Sequence, residues 1–297
     1  MTLLARWAVT ATLLIVAIFC TGLDSRDAAA ASESRRIVIA GGDLTEIAYL
    51  LGAGPALIGV DTTSTWPPEA AELPQIGYLR QLSAEGVLSL APDLFLAAAD
   101  AGPDIVLKQL RDAGVEVAMA PTGDGIEAIP KKITFIGEAL GKPAEAAALI
   151  TEFNNKLAAA RARIARLEAK PRVLFILSVQ NGAPLVAGEG TSASRMLELA
   201  AGRNAISGFQ GYKPISAEAI IDAAPEVILM MRQHAEELGG AEQVLSRPEI
   251  IMTPAGRAGR LVTMEGMKLL GFGSRTPEAI IELARLLHPD SAEEAGL

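Results

Sequence analysis

Two stretches of this chain repeat one pattern. Leu82-Ser83-Ala84-Glu85-Gly86-Val87-Leu88-Ser89-Leu90-Ala91-Pro92-Asp93 aligns without a gap on Ile215-Ser216-Ala217-Glu218-Ala219-Ile220-Ile221-Asp222-Ala223-Ala224-Pro225-Glu226. Ser-Ala-Glu recurs, and beyond each Glu come a proline, an acid and an apolar run at the same spacing. Such self-similarity marks one supersecondary unit, here a helix followed by a strand, built twice. The chain therefore folds as two halves of like construction. Glu85 and Glu218 have a structural reading, since an acid at a helix N-terminus is favoured by the macrodipole. They also have a functional one. Equivalent positions on two pseudo-symmetric lobes present one carboxylate each, and such a pair suits the two equivalent halves of a dimeric partner.

Each half continues the alternation of strands and helices. Residues 36–40 are a β-branched run closed by Gly41-Gly42, and 45–51 follow with helical spacing before Gly52. Residues 58–60, 93–97 and 115–119 read as strands, with a helix over 103–113 ahead of Gly114. In the second half, 173–178, 227–231 and 260–264 read as strands, with helices over 192–201 and 277–287. This pace of alternation implies α/β lobes with mainly parallel sheets covered on both faces. Between them, 144–170 holds neither glycine nor proline. Its Leu149, Ile150, Phe153, Leu157, Ile164 and Leu167 keep largely to one helical face. Such a helix spans about 40 Å, enough to cross between lobes. The fold class is two Rossmann-like α/β lobes joined by one long helix, with a ligand cleft between them. Residues 1–31 form a leader, 32–143 the first lobe, 144–170 the helix and 171–297 the second lobe. A single helical connection implies a stiff hinge and small closure.

The leader reads as an address. Arg6 precedes an apolar run over 7–19, and a polar stretch leads to Ala28-Ala29-Ala30-Ala31. A basic start, an apolar middle and a small-residue exit make a cleavable secretory signal peptide, cut after Ala30 or Ala31. The run falls short of the roughly 20 apolar residues that span a membrane. Cys20 offers a rival, lipoprotein processing, but Phe19 is bulky where a lipobox has a small residue. The expectation is a periplasmic protein whose lone cysteine leaves with the leader. With 26 Lys+Arg against 35 Asp+Glu, a formal charge of −9, the chain is not built to coat nucleic-acid phosphates. One cysteine and two histidines, His234 and His288, exclude a disulfide framework, a CxxC centre and a histidine-rich zinc site.

An exported two-lobed chain with one crossing helix and a Glu at matching places resembles the class III substrate-binding proteins of ABC importers. That group serves cobalamin, siderophores and haem. Leu73-Pro74-Gln75-Ile76-Gly77-Tyr78-Leu79-Arg80-Gln81-Leu82-Ser83-Ala84-Glu85-Gly86 is similar to the periplasmic haemin-binding branch, through Gly-Tyr-x-Arg-Gln-Leu-Ser-x-Glu-Gly. The resemblance continues through Gly41-Gly42-Asp43-Leu44-Thr45-Glu46, Val186-Ala187-Gly188-Glu189-Gly190-Thr191 and Leu270-Gly271-Phe272-Gly273-Ser274-Arg275-Thr276-Pro277. It implies a monomeric binding protein, not an enzyme, that carries haem to a dimeric permease, with an outer-membrane haem uptake system upstream. On that footing Glu85 and Glu218 are docking carboxylates, and Arg275 joins the haem-binding residues.

The same resemblance makes Tyr78 the axial ligand of ferric haem iron and Arg80 its electrostatic support. Ferric iron takes a phenolate, and a guanidinium within hydrogen-bond reach favours the ionised form. On the dipeptide spacing alone, a loop tyrosine beside an exposed arginine is the alternative. Some members of the branch add a histidine from the loop after the second lobe's first strand. Here that loop reads Ser178-Val179-Gln180-Asn181-Gly182, without one. His234 follows the strand 227–231 at the carboxyl edge where α/β clefts form. It is either a fallback second ligand or a solvated helix-start residue. Tyr212 occupies the repeat position close to Tyr78, and either lines the opposite wall or packs. His288 reads as a surface residue near the end of the last helix.

Other motifs fail on their own terms. Gly41-Gly42 lacks the third glycine of a dinucleotide fingerprint, and the glycines of 182–192 come without a P-loop lysine. The chain has no Gly-x-Ser-x-Gly elbow. Two further readings stand beside haem: the same scaffold for cobalamin or an iron–siderophore, and an exported α/β enzyme with an unrecognised cofactor.

Overall fold

Strand β1 (Ile37–Ala40) is apolar at every position because both of its faces are covered. Ile37 and Ile39 point into one core cluster, Val38 and Ala40 into another, as the two-residue period of a strand requires. With β2 (Leu57–Val60), β3 (Leu94–Ala97) and β4 (Glu116–Met119) it forms a parallel sheet of order β2-β1-β3-β4. β3 divides as β1 does, Leu94 and Leu96 one way, Phe95 and Ala97 the other. The computed structural model describes residues 35–123, 125–180 and 182–297, and the leader, Cys20 and both cleavage points lie outside the described residues.

The second sheet is mixed. β5 (Arg172–Gln180), β6 (Ala183–Ala187), β7 (Arg203–Asn204), β8 (Tyr212–Pro214), β9 (Val227–Met231) and β10 (Leu261–Met264) run in the order β10-β9-β5-β6-β8, with β7 on β5. β5, β7, β9 and β10 are parallel, whereas β6 is antiparallel to β5 and β8 is antiparallel to β6. The expected loop at 178–182 is therefore mostly strand: Ser178, Val179 and Gln180 belong to β5, and the chain reverses at Gly182, whose φ is +84°. β5 and β9 again divide their side chains. Val173, Phe175 and Leu229 face the cluster that also holds Ile39 and Leu96, while Leu174 and Ile228 face a third cluster. One continuous core thus joins the two sheets. Full burial of Phe175, at 0% exposure, stabilises the fold by about 1.5–3 kcal/mol.

Helix α1 (Gly42–Leu50) follows β1, and α2 (Ala84–Leu88) precedes β3. Helix α3 (Ile129–Ala139) presents Ile129, Ile133 and Ile136 to the shared core. The connecting helix α4 (Pro143–Ile164) buries Ala146, Phe153, Leu157 and Ala160. It stops six residues short of the expected end at 170, because the chain turns after Ile164 to bury Leu167 in the shared core. Its 22 residues span about 33 Å rather than 40. α5 (Ala217–Ala223) precedes β9, α6 (Arg232–Glu237) follows it, and the last helix α7 (Thr276–Leu287) packs along α4.

The repeat is carried down to single interactions. Ser83 and Ser216 cap α2 and α5, each hydroxyl accepting a backbone N–H at 3.3 Å, from Gly86 and Ala219. Ala91 and Ala224, at matching positions, both adopt the left-handed conformation, with φ of 46° and 45°. Asp93 accepts the Arg36 amide at 2.8 Å, and Glu226 accepts the Arg172 amide at 2.8 Å. Each acid thus fixes the start of the central strand of its own sheet.

Candidate functional site

A cavity of about 1220 Å³ opens at the carboxyl ends of the strands of both sheets, the place where α/β folds bind ligands. From the first sheet come Gly41–Leu44 beyond β1, Thr62 and Thr63 beyond β2, Ala98–Asp100 beyond β3 and Ala120–Gly123 beyond β4. From the second come Leu177, Tyr212, Met231, His234, Met267 and Leu270. The first wall is polar and charged, and the second sets an apolar patch of Leu177, Met231, Met267, Leu270 and Phe272 beside Ser192, Gln233, His234 and Glu265.

The polar wall is organised by a buried carboxylate. Asp61 is 0% exposed and accepts the Gly41 amide at 2.9 Å, the Thr63 amide at 3.1 Å and the hydroxyls of Thr63 and Ser64. It ties the turn after β2 to the turn after β1. Gly42 makes that approach possible, since a Cβ there would lie 2.3 Å from the Thr63 carbonyl oxygen.

Tyr78 and Arg80 are set on an irregular stretch anchored at every third residue. Ile76, Leu79 and Leu82 are buried in the cluster behind the first sheet. The Leu79 carbonyl accepts the Gly102 amide at 2.8 Å, and the Gly102 carbonyl accepts the Leu82 amide at 2.9 Å. Between these anchors Tyr78 and Arg80 turn into the cavity, Tyr78 at 37% exposure. Arg80 donates from Nη1 to the Tyr78 hydroxyl and from Nη2 to Asp100, and its guanidinium carbon lies 5.5 Å from the Tyr78 ring centroid. Partial burial works against the Arg80 charge, but Asp100 and the Tyr78 oxygen outweigh it, so its pKa stands above the ordinary arginine value. The phenol oxygen is thus held beside a fixed cation at the cavity edge.

The other expected residues fall into two groups. Tyr212 both lines the opposite wall and packs, its ring edge-on to Phe175 at 6.4 Å and 61°. Burial raises its pKa, only partly offset by the Ala193 amide and the Thr191 hydroxyl, so this phenol stays protonated. His234 lines the cavity and hydrogen-bonds through Nδ1 to the Leu177 carbonyl. A carbonyl only accepts, so Nδ1 is the donor in this bond and Nε2 is the ring nitrogen left outside it. His234 is therefore a held cavity residue rather than a solvated one.

Arg275 is not among the lining residues, but its Nη2 lies 3.6 Å from the lining carboxylate of Glu265. Its Nε donates to Glu46 at 2.6 Å, its amide donates to the same carboxylate at 2.9 Å, and its guanidinium stacks on Trp66 at 4.6 Å. With both Glu46 oxygens engaged, the arginine is spent on joining α1 to the start of α7. His288 is likewise not a surface residue: it is 5% exposed, and burial lowers its pKa. Glu85 and Glu218 lie in the first turns of α2 and α5, both exposed and outside the cavity lining. The Glu218 carboxylate accepts from its own amide and from Ser216, which lowers its pKa.

Two further cavity residues pair with one another: Asp43, which lies in a stretch that carries the family resemblance, and Lys132, which no sequence signal singled out. Asp43 and Lys132 form an ion pair at 2.6 Å with side chains 10% and 14% exposed. Lys132 sits on the core-facing stripe of α3, where an apolar residue is the usual occupant.

Comparison with known proteins agrees with this geometry. Residues 37–266 match the family model described as periplasmic binding protein. The solved structure of the periplasmic heme-binding protein BhuT in complex with two hemes is 41% identical, with a TM-score of 0.81, over 88% of this chain and 99% of that one. The apo periplasmic heme-binding protein RhuT of Roseiflexus sp. RS-1 is 39% identical, with a TM-score of 0.82, over 87% of this chain and 99% of that one. Among curated proteins, an uncharacterized ABC transporter substrate-binding lipoprotein of Bacillus subtilis is 27% identical over 91% of this chain and 85% of its own length. A vitamin B12-binding protein of Vibrio parahaemolyticus is 28% identical over 69% and 73%. The chain belongs to the periplasmic binding protein family, with the two-lobed class III fold of ABC-importer substrate-binding proteins.

Proposed function

We propose that this protein captures ferric haem outside the cytoplasm and delivers it to a dimeric ABC permease. The observation that carries the reading is Tyr78, a phenol at the cavity edge whose oxygen is held by Arg80, itself braced by Asp100. An anionic oxygen ligand beside a fixed cation suits ferric iron, and the apolar patch of Leu177, Met231, Met267 and Leu270 suits the face of a macrocycle. Tyr212 stays protonated and makes a poor competing ligand. Iron bound through Tyr78 is five-coordinate in this account, with His234 the nearest candidate for a sixth position. Cobalamin is the second reading, supported by the curated relatives named for vitamin B12 at 24–29% identity. Solved relatives named for haem range from 24% to 41% identity, and those at 32–41% support the first.

In the same proposal the leader over 1–31 directs export to the periplasm and is removed, Cys20 with it. Residues 32–143 and 171–297 act as the two lobes about the connecting helix. Glu85 and Glu218 contact one permease subunit each, since two like carboxylates face two like pockets. Titrating the purified mature protein with haemin and with cyanocobalamin tests the reading. A saturable Soret shift with haemin, and no retention of cobalamin, is the expected result. Retention of cobalamin without a haemin spectrum would replace haem by the second reading.

A further inference from the structure

The Asp43–Lys132 pair is oddly placed for a structural contact. Lys132 lies on the stripe of α3 that buries Ile129, Ile133 and Ile136, and both members of the pair line the cavity. A largely buried ion pair is seldom worth more to stability than apolar side chains of similar size. Lys132 Nζ has three donors, and the hydrogen bond to Asp43 Oδ2 at 2.6 Å uses one of them. Asp43 stands in the first turn of α1, where the helix dipole offsets part of its negative charge. The cavity is therefore left facing an ammonium with donors to spare. Among the described lining residues it is the one ammonium, and the other strong cation, Arg80, is taken up by Tyr78 and Asp100.

Resting on the haem reading above, we infer that Lys132 binds a carboxylate arm of the tetrapyrrole and so selects ligands that carry one. β1, which leads to Asp43, and β3, which leads to Asp100, are adjacent strands, about 4.8 Å apart. The two cations are thus braced from neighbouring strand ends of one wall. Arg80 stands at the exposed edge with Tyr78, its side chain 53% exposed, and Lys132 lies deeper at 14%. A disc-shaped ligand held at its centre by Tyr78 and pushed into the cavity brings its rim toward Lys132. A carboxylate on that rim gains a charge-assisted hydrogen bond, and an ester or amide there gains only a weaker neutral one. Asp43 holds the ammonium in place before the ligand arrives.

The test compares haemin with haemin dimethyl ester on the unmodified protein and on the double variant Asp43→Asn/Lys132→Gln, which keeps a neutral hydrogen-bonding pair. The unmodified protein should bind haemin about tenfold or more tightly than the ester, a ratio set by one charge-assisted bond. The double variant should lose that preference while keeping the wild-type visible spectrum of the bound iron. Equal affinity of the unmodified protein for haemin and its ester would overturn the inference, even if the variant fails to fold. So would a folded variant with the preference intact. Failure of the unmodified protein to bind haemin at all would instead remove the haem reading beneath it.

Discussion

Glu46, on the helix after β1, and Arg275, beside the last helix after β10, are joined by two hydrogen bonds to one buried carboxylate. The guanidinium donates at 2.6 Å and the Arg275 amide at 2.9 Å, and the Ser274 hydroxyl adds a third donor. Glu46 is 4% exposed. The contact bridges residues 229 apart in sequence and links the elements of the two sheets.

Removing one member of such a pair leaves the other charge poorly compensated. Glu46→Ala should lower stability by about 3–5 kcal/mol, the range for breaking a buried pair from one side. Arg275→Lys should fail to restore it, because a lysine cannot reproduce the fork geometry. Denaturant unfolding of both variants checks this, and wild-type midpoints would place the contact among weak surface pairs.

Arg80→Ala should weaken haemin binding about tenfold and leave it Tyr78-ligated. A charge-assisted hydrogen bond is worth about 1.5–3 kcal/mol, and the lower end applies because Arg80 and Asp100 are about half exposed. Equilibrium titration of the variant reads the change directly. No loss of affinity would mean that the guanidinium contributes nothing to holding the ligand.

Stability should decline on the acid side through His288. Burial lowers its pKa below 6.5, with Arg260 acting in the same direction and the carbonyls of Ala200 and Ala201 against it. The unfolded chain then takes up the proton first, so stability rises with pH across the window between the folded value and 6.5. The contribution is whole above 6.5 and is lost as the pH falls toward the folded value. Melting temperatures at several pH values should show a flatter acid limb in His288→Asn than in wild type. Parallel limbs would assign the acid loss to other groups.

Much of this architecture is legible in the chain because the repeat is local. Ser83 and Ser216 each cap the helix of their own unit, and Asp93 and Glu226 each reach the matching start of a neighbouring strand, at Arg36 and Arg172, so aligned letters predict aligned contacts. The strands with both faces covered, such as β1 and β9, announce themselves by unbroken apolar runs. β6 and β8 do not. They are short, each contains a proline, and they pair antiparallel, and Gly182 is the sole strong turn cue between β5 and β6 that the structure describes. The connecting helix ends where Leu167 finds the core, a tertiary event that no glycine or proline marks. At the site, Tyr78 and Arg80 are two residues apart and could be read together. Arg275 and Lys132 have their partners, Glu46 and Asp43, across long sequence separations, so only folding reveals that one is tied outside the cavity and the other lines it.

The docking role proposed for Glu85 and Glu218 can be separated from helix capping by charge reversal. Ser83 and Ser216 already cap the two helices, and Glu85 and Glu218 are exposed outside the cavity. Glu85→Lys and Glu218→Lys should each slow haem delivery to the reconstituted permease, with haemin affinity and melting temperature near wild type. Raising salt should weaken docking more than haem binding. Unchanged transport by both variants would end the docking role.

The central claim, iron held by the Tyr78 phenolate, is tested by the visible spectrum of the haemin complex in wild type, Tyr78→Phe and Tyr212→Phe. Wild type should be high-spin with a phenolate-to-iron charge-transfer band, Tyr212→Phe should keep that band, and Tyr78→Phe should lose it along with most of the affinity. A Tyr78→Phe complex with the wild-type spectrum and affinity would contradict the account.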